Sequence, residues 1–334
     1  MSSSMRLSHS LRSSVPGALC ALLLGAGALT SCSSDDSDGS DGSGSAAETR
    51  TVSTERGDVE VPADPQRVVA VDWQIPPTMV DLGVTPVGIY EGYYEQDAAA
   101  ARAVPDRYVD ALADATRIGN WDALNMEKVS ELNPDLIVTT GVGLEDDQLD
   151  KLAAIAPMAL ADNSGDLASQ AQIADILNRS DEFDELQQTF DERAAEIAEK
   201  HSDVLADAKF VSVSGGQDAN WFAEGGQTAI GTLLTAVGAS FADVVDPDGW
   251  WGDPRSFENL GDLDDATVIL YPETADGEPA PNTVPVLDNP VFQALPAVKA
   301  GNSFGFSQGA ASNIGWAIDA LDEIDRILSE VGEQ

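Results

Sequence analysis

Two groups of residues are equipped for chemistry: one serine in a Gly-x-Ser-x-Gly setting, and a set of aromatics accompanied by an arginine. Gly305-Phe306-Ser307-Gln308-Gly309 follows a β-rich run and matches the nucleophile elbow, the turn that presents a serine for acyl transfer. That chemistry needs a histidine later in the chain. The two histidines, His9 and His201, both precede Ser307, so a surface serine hydrolase stays only as the different-class alternative. The same scarcity argues against a histidine cluster for zinc or manganese and against histidine-ligated haem. Two cysteines, Cys20 and Cys32, rule out a metal site built from several thiolates. Neither a phosphate-binding glycine loop with its lysine nor a dinucleotide fingerprint is present.

The aromatics lie in segments expected to be loops, several beside glycine or charged residues. Tyr90, Tyr93, Tyr94, Trp121, Trp221, Trp250 and Trp251 are the candidate ligand-binding residues, with Phe222 and Trp316 as further members of the set. Aromatic rings give rigid apolar walls with a polar handle, which suits a bulky organic ligand. The competing expectation is that they pack inside the fold. Arg255 joins the candidate list because it stands after Pro254, between Trp251 and Phe257. Its guanidinium there can stack on an aromatic, or bind a ligand carboxylate or a metal-bound oxygen. The alternative is a salt bridge to Asp253 or Glu258. Arg102, Arg107 and Arg117 are the first-half candidates of the same kind.

These residues need a frame, and its organising stretch is 181–205. Phe183, Leu186, Phe190, Ala194 and Ile197 recur at the spacing of one helical face, with neither glycine nor proline between them. Ser180 is the expected N-cap, acids fill the first turn, and Lys200 and His201 stand near the end. A helix of that length is a rod of roughly 35 Å. On either side of it strand and helix patterns alternate: strands at Arg67–Val71, Pro86–Ile89, Asp135–Thr139, Lys209–Ser214, Thr267–Tyr271 and Ser303–Phe306, and helices at Asn125–Leu132, Asp146–Ile155, Leu167–Leu177, Ile230–Val237 and Ile314–Val331. That grammar predicts an α/β fold of two Rossmann-like lobes with parallel sheets. One long α-helix joins them and a ligand cleft lies between. The expected divisions are an N-terminal lobe at 51–167, a linking helical segment at 168–205 and a C-terminal lobe at 206–334. Ligands of such sheets collect at the C-terminal strand ends.

The start of the chain is read differently. Arg6 and Arg12 precede an apolar run, Val15 to Thr30, broken by Pro16 and glycines and too short for a comfortable membrane span. Leu29-Thr30-Ser31-Cys32 resembles the lipobox of bacterial lipoprotein signals, which implies a signal peptide over 1–31 and lipidation at Cys32. A Ser/Asp/Gly tract over 32–50 reads as a flexible tether. Formal charge is −41, from 58 acidic and 17 basic residues, which makes nucleic acid and anionic lipid surfaces poor partners. The acidic excess, with only five lysines, points to a surface adapted to salt.

Further motifs carry a family likeness. They are Arg67-Val68-Val69-Ala70-Val71, Leu82-Gly83-Val84-Thr85-Pro86-Val87-Gly88 and Asn125-Met126-Glu127, then Leu132-Asn133-Pro134-Asp135-Leu136-Ile137-Val138, Ser256-Phe257-Glu258 and Leu295-Pro296-Ala297-Val298-Lys299-Ala300-Gly301. Spread over about 61–328 behind a lipobox, they resemble the iron-siderophore and cobalamin class of substrate-binding lipoproteins of ABC importers, the periplasmic binding proteins with a single long helix. The resemblance implies a non-enzymatic, monomeric receptor on the extracellular face of the bacterial cell membrane. Such a receptor has no cofactor or metal of its own, carries a ferric siderophore as its ligand and delivers it to a permease and its ATPase. Haem or cobalamin is the alternative cargo within the class. The resemblance also implies permease docking by one acid on each lobe. Glu258 occupies the second-lobe position. The first-lobe position is Pro77, a departure from the pattern, and Asp81 one turn on is the expected substitute.

Overall fold

The computed structural model of the chain describes residues 48–333 except 101–102, 165–166, 217–218, 251 and 308–310, and the side chains of 100, 167 and 168 are likewise not described. The signal segment, Cys32, most of the tether, Arg102 and Trp251 lie outside the described residues.

The first described element is a hairpin that the sequence reading did not anticipate: β1 (Thr49–Thr54) and β2 (Gly57–Pro62), antiparallel. It begins at Thr49, within the stretch read as tether. Gly57 takes a φ of +98° in the turn, and the Thr54 hydroxyl donates to the Gly57 carbonyl at 2.7 Å. The first lobe is then built on β3 (Val68–Ala70), β4 (Gly88–Ile89), β5 (Thr116–Arg117), β6 (Leu136–Thr139) and β7 (Met158–Leu160). All are parallel, in the order β5-β4-β3-β6-β7. Every residue of β3 and β6 is buried, as expected for valine-rich strands covered by helices on both faces.

The second sheet comprises β8 (Lys209–Gly215), β9 (Asn220–Ala223), β10 (Ser240–Phe241), β11 (Arg255–Ser256), β12 (Val268–Pro272) and β13 (Ser303–Phe306). Its order is β11-β9-β8-β12-β13, and β10 pairs with the start of β8, along an edge whose other end is taken by β9. The strands β10, β8, β12 and β13 run parallel, while β9 is antiparallel to both β8 and β11. Trp221 and Phe222, expected in a loop, therefore lie in a strand. That strand is only four residues long and depends on the distant β11 for its outer pairing.

The strut helix is Ser180–Lys200, about 30 Å long. Its buried face is Phe183, Phe190, Ala194 and Ile197, with Leu186 partly covered, which is the stripe that the helical period predicts. Arg179, not Ser180, holds the N-cap position, and no side chain caps it. The expected single rod to Leu205 instead breaks at His201, and a separate helix follows over Ser202–Asp207. The break falls where Lys200 and His201 Nε2 both reach Asp325 on the terminal helix (Ile314–Gly332), each at 2.6 Å. Arg193 adds bonds to Asp322 at 2.7 Å and to Asp325 at 3.0 Å. Burial opposes ionisation of the Asp325 carboxyl, but the hydrogen bonds from Lys200, His201 and Arg193 outweigh it and bring it down to about 2.

The terminal helix makes the strut one of two struts. Its N-terminal end reaches the first lobe. Trp316 packs on Tyr108 with ring centroids 6.1 Å apart, and the Ile314 N–H donates to Gln170 Oε1 at 2.8 Å. One apolar core consequently runs through both sheets, joining Val68, Val138, Phe210 and Leu270 with Phe190, Ile197, Leu321 and Ile324 of the two helices. Each sheet keeps a separate core on its other face.

Candidate functional site

In the first sheet the chain steps outward from β3 through β4 to β5, then returns to the other side of β3 for β6 and β7. The crevice of such a sheet opens where the direction reverses, at the C-terminal ends of β3 and β6. Asp72 follows β3 and Thr140 follows β6, and the Thr140 hydroxyl donates to Asp72 Oδ2. The Gln74 N–H donates to Asp72 Oδ1 at 2.6 Å. Burial pushes the Asp72 carboxyl above the usual carboxylate range, against the hydrogen bonds from Thr140 and Gln74.

Trp73, next in the chain, stacks on Tyr93 with centroids 5.6 Å apart and rings 10° from parallel. The Tyr94 hydroxyl donates to the Trp73 carbonyl, and the Tyr94 ring is buried. Tyr90, which follows β4, is 1% exposed, and its hydroxyl has no hydrogen-bond partner among the described residues. Burial, then the nearby Asp72 and Tyr93, push its ionisation well above the usual tyrosine range. Trp121, beyond the end of β5, is 51% exposed and lies against Gly143 in the loop after β6. Tyr90, Tyr93 and Trp121 thus gather at one edge of the first sheet, together with Asp72, Trp73 and Thr140.

The second sheet reverses at β8 and β12, and at the end of β8 Gly215 is held by two side chains. Asn282 Nδ2 donates to the Gly215 carbonyl at 2.6 Å, and the Gly215 N–H donates to Thr283 Oγ1 at 3.2 Å. A Cβ at Gly215 would collide with the Asn282 carbonyl, so only glycine fits. Trp221 is not at this edge in an open loop. It is 0% exposed, belongs to the outer core of the lobe, and donates from Nε1 to the Ser256 carbonyl at 3.1 Å. Arg255 lies over the Trp221 ring at 5.7 Å and bonds Asp262 at 3.0 Å. Its salt-bridge partner is neither Asp253 nor Glu258. Trp250 is 48% exposed, but its carbonyl accepts from Gly225, placing it beside the far end of β9 and away from the C-terminal edge of β8. Nearby, burial pushes the Glu224 carboxyl up to about 7, against hydrogen bonds from Ser212 and Ser214 of β8.

The two expected docking acids occupy opposite environments. Glu258 is exposed in the first turn of a 3-10 helix, Phe257–Leu263, whose N-cap Ser256 accepts from the Glu258 N–H. Asp81 is not on an outer face. Its side chain is 10% exposed and sits at the joint, accepting from the Tyr108 hydroxyl at 2.9 Å and from the Asn313 amide. Burial pushes its carboxyl up to about 6, against Tyr108 and Arg107. The short helix that supplies Arg107 and Tyr108, Asp106–Ala111, lies in a stretch the sequence reading left without an element, so the partners of Asp81 were not visible there.

Ser307 has a carboxylate, not an imidazole, beside it: its hydroxyl donates to Glu323 Oε2 at 3.1 Å, while His201 is held at the end of the strut. Among the described residues no group of three or more His, Cys, Asp or Glu side chains is placed to hold a metal ion. An open groove of about 350 Å³ lined by Asp203, Asp207, Thr267 and Asn302 lies at the N-terminal end of the second sheet, away from all these aromatics. Asp72, Trp73 and Thr140 were missed from sequence. Their signal was close to the rule that picked Tyr90: Thr140 directly follows a buried parallel strand, and Asp72 and Trp73 come within the first residues after one.

Comparison with known proteins bears on this arrangement. The family described as Periplasmic binding protein matches residues 68–307. The putative ABC transporter substrate-binding lipoprotein YhfQ of Bacillus subtilis is 26% identical over 295 residues, covering 85% of this chain and 87% of that protein. The probable siderophore-binding lipoprotein YfiY of the same organism is 29% identical over 164 residues, 48% of each chain. Among solved structures, the siderophore periplasmic binding protein from the fuscachelin gene cluster of Thermobifida fusca superposes with a TM-score of 0.66 at 28% identity, covering 81% of this chain and 98% of that one.

Proposed function

We infer the function of this chain from one premise: it belongs to the periplasmic binding protein family. We propose that it captures a ferric siderophore and delivers it to the permease of an ABC importer, which its ATPase drives. The observation that carries this reading is the likeness to a siderophore periplasmic binding protein over 98% of that chain, with the aromatic edge of the first sheet lying where the fold collects ligands. The iron arrives already chelated, so the protein grips the organic shell and supplies no ligand to the metal. The Trp73–Tyr93 stack and Trp121 form that grip from the first lobe, and the cleft lies between the lobes.

The chain acts as a monomer, held by a lipid on Cys32 at the extracellular face of the membrane. Two acyl chains meet the condition for stable anchoring, and the tether keeps loaded receptor in the plane of its importer. Glu258 supports docking from the second lobe. Asp81 has another task, as part of the joint.

The test uses the full chain in detergent. Ferric siderophores of hydroxamate, catecholate and carboxylate types are added while tryptophan fluorescence is followed. Quenching by at least one chelate, and none by free ferric iron, is the expected result. Silence across all three types overturns the reading. Glu258→Lys should then leave chelate affinity unchanged and cut uptake in cells by about tenfold, as expected for a rim charge in a docking surface; unchanged uptake removes Glu258 from that role.

A further inference from the structure

The C-terminal strand edges are acidic in both sheets. Asp72 follows β3, Glu91 lies two residues past β4, Asp162 two past β7, and Glu273 directly follows β12. Among the described residues Arg117 is the arginine at those edges, and it is already engaged, while Arg107 and Arg255 lie elsewhere. Arg117, the last residue of β5, donates to Glu95 at 2.8 Å and to the carbonyls of Leu112 and Ala115 at 2.9 and 2.7 Å. Arg107 bonds Asp319 and the Tyr108 hydroxyl at the joint. Arg255, the cation best placed by sequence to relieve an anionic ligand, bonds Asp262 through one terminal nitrogen and lies over the Trp221 ring, while its Nε is buried without a partner among the described residues.

A second, independent observation points to a ligand. The Tyr90 hydroxyl, on a side chain 1% exposed, stands without a partner beside Asp72. A buried hydroxyl left unpaired is costly, and such groups mark places that a ligand or its water completes. Here the surroundings are the Asp72 carboxyl, which accepts from Gln74 and Thr140, and stacked π-faces, which favour a donor or a cation over an anion.

We propose that the chelate this chain takes is a neutral or cationic ferric hydroxamate type, with an ammonium or other hydrogen-bond donor turned toward Asp72, Tyr90 and the Trp73–Tyr93 stack, rather than an anionic catecholate or citrate type. This rests on the siderophore reading above. An anionic chelate would bring like charge to an edge that carries these carboxyl groups, within a chain of formal charge −41.

The experiment titrates the full chain in detergent with three chelates, read by tryptophan quenching. They are a linear ferric trihydroxamate with a free terminal ammonium, the same chelate acetylated at that amine, and a ferric tricatecholate. Both hydroxamates should bind at least about tenfold more tightly than the tricatecholate. In the double variant Glu91→Gln/Glu273→Gln, the ammonium-bearing chelate should weaken by about threefold and the acetylated one stay unchanged. Glu91 is exposed and neither carboxylate makes a side-chain hydrogen bond among the described residues, so the variant should fold. Circular dichroism checks that it does. Tricatecholate binding as tight as either hydroxamate, or a variant that shifts all three chelates equally, overturns the charge assignment and leaves siderophore binding standing. Quenching by none of the three, nor by ferric citrate, overturns both.

Discussion

At the ends of β3 and β6 the first lobe sets side chains, Asp72 against Thr140, with Trp73, Tyr90 and Tyr93 beside them. At the end of β8 the second lobe sets a glycine, Gly215, held by the Asn282 and Thr283 side chains. Side chains at a switch point can change with the ligand while the sheet stays the same; a clamped glycine cannot. Three of the described large aromatics follow the same division. Trp73 and Tyr93 are half-buried at the edge of their sheet, whereas Trp221 is sealed inside the outer core of the second. We propose on the described residues that the first lobe reads the ligand and the second serves as a stiffer platform.

The largest effect should separate those two kinds of tryptophan. Trp221→Ala removes a fully buried ring, its bond to the Ser256 carbonyl and the face under Arg255. Cavity creation of that size costs about 3–5 kcal/mol. Trp73→Ala should cost about 1 kcal/mol or less, since a half-buried ring loses only part of its contact area, and should weaken chelate binding severely. Urea unfolding and ligand titration of both variants decide it. The division between the lobes breaks if Trp73→Ala is the less stable of the two, or if Trp221→Ala unbinds ligand while keeping its stability.

A middle-sized effect concerns the joint. The Asp81 carboxyl titrates near 6 in the folded chain against 3.8 as its ordinary value, because burial disfavours its charge. The folded state thus holds this proton more tightly than the unfolded one. Its contribution to stability is fully present below about pH 4 and is lost as pH rises through about 6. The full span is worth roughly 2–3 kcal/mol. Glu224 and Asp72 are raised in the same direction, and Asp325 is lowered, so the comparison is wild type with Asp81→Asn. Urea midpoints between pH 4.5 and 7.5 should fall less steeply in the variant. Parallel pH profiles would show that Asp81 does not govern this dependence and would leave the joint a simple packing contact.

Much of the frame was legible because it rests on period and punctuation. The stripe from Phe183 to Ile197 emerged as the buried face of the strut, Asn125 caps its helix by accepting from Lys128, and Asn133 and Gly238 end theirs at positive φ. Strands β6 and β13 could be placed because they are short buried runs bounded by turn residues. What stayed hidden depends on pairing across the chain. Strands β9 and β11 stabilise each other over more than thirty residues, so nothing local marks Trp221 as core. The bonds around Asp81 come from Tyr108 and from Asn313, and no spacing rule connects those three positions. Charge pairing was hidden similarly: Asp262, seven residues on from Arg255, becomes its partner only once the 3-10 helix between them forms.

The smallest effect is the sharpest probe of the first lobe, because it contrasts two tyrosines of equal burial. Tyr108 is 0% exposed, and its hydroxyl donates to Asp81 while accepting from Arg107 and Asn313. Tyr90 is 1% exposed and its hydroxyl has no partner among the described residues. Tyr108→Phe leaves bonded groups unsatisfied and should cost about 1–3 kcal/mol. Tyr90→Phe removes a polar atom that makes no bond in the unliganded chain, so stability should hold or rise by about 1 kcal/mol. Thermal shifts on adding the ammonium-bearing hydroxamate complete the contrast. If the ligand supplies the missing partner of Tyr90, the shift on binding shrinks in Tyr90→Phe, although the free protein is as stable as before. An undiminished shift would mean that the hydroxyl stays unpaired in the complex too, and that Asp72 and the stacked rings select the ligand without it.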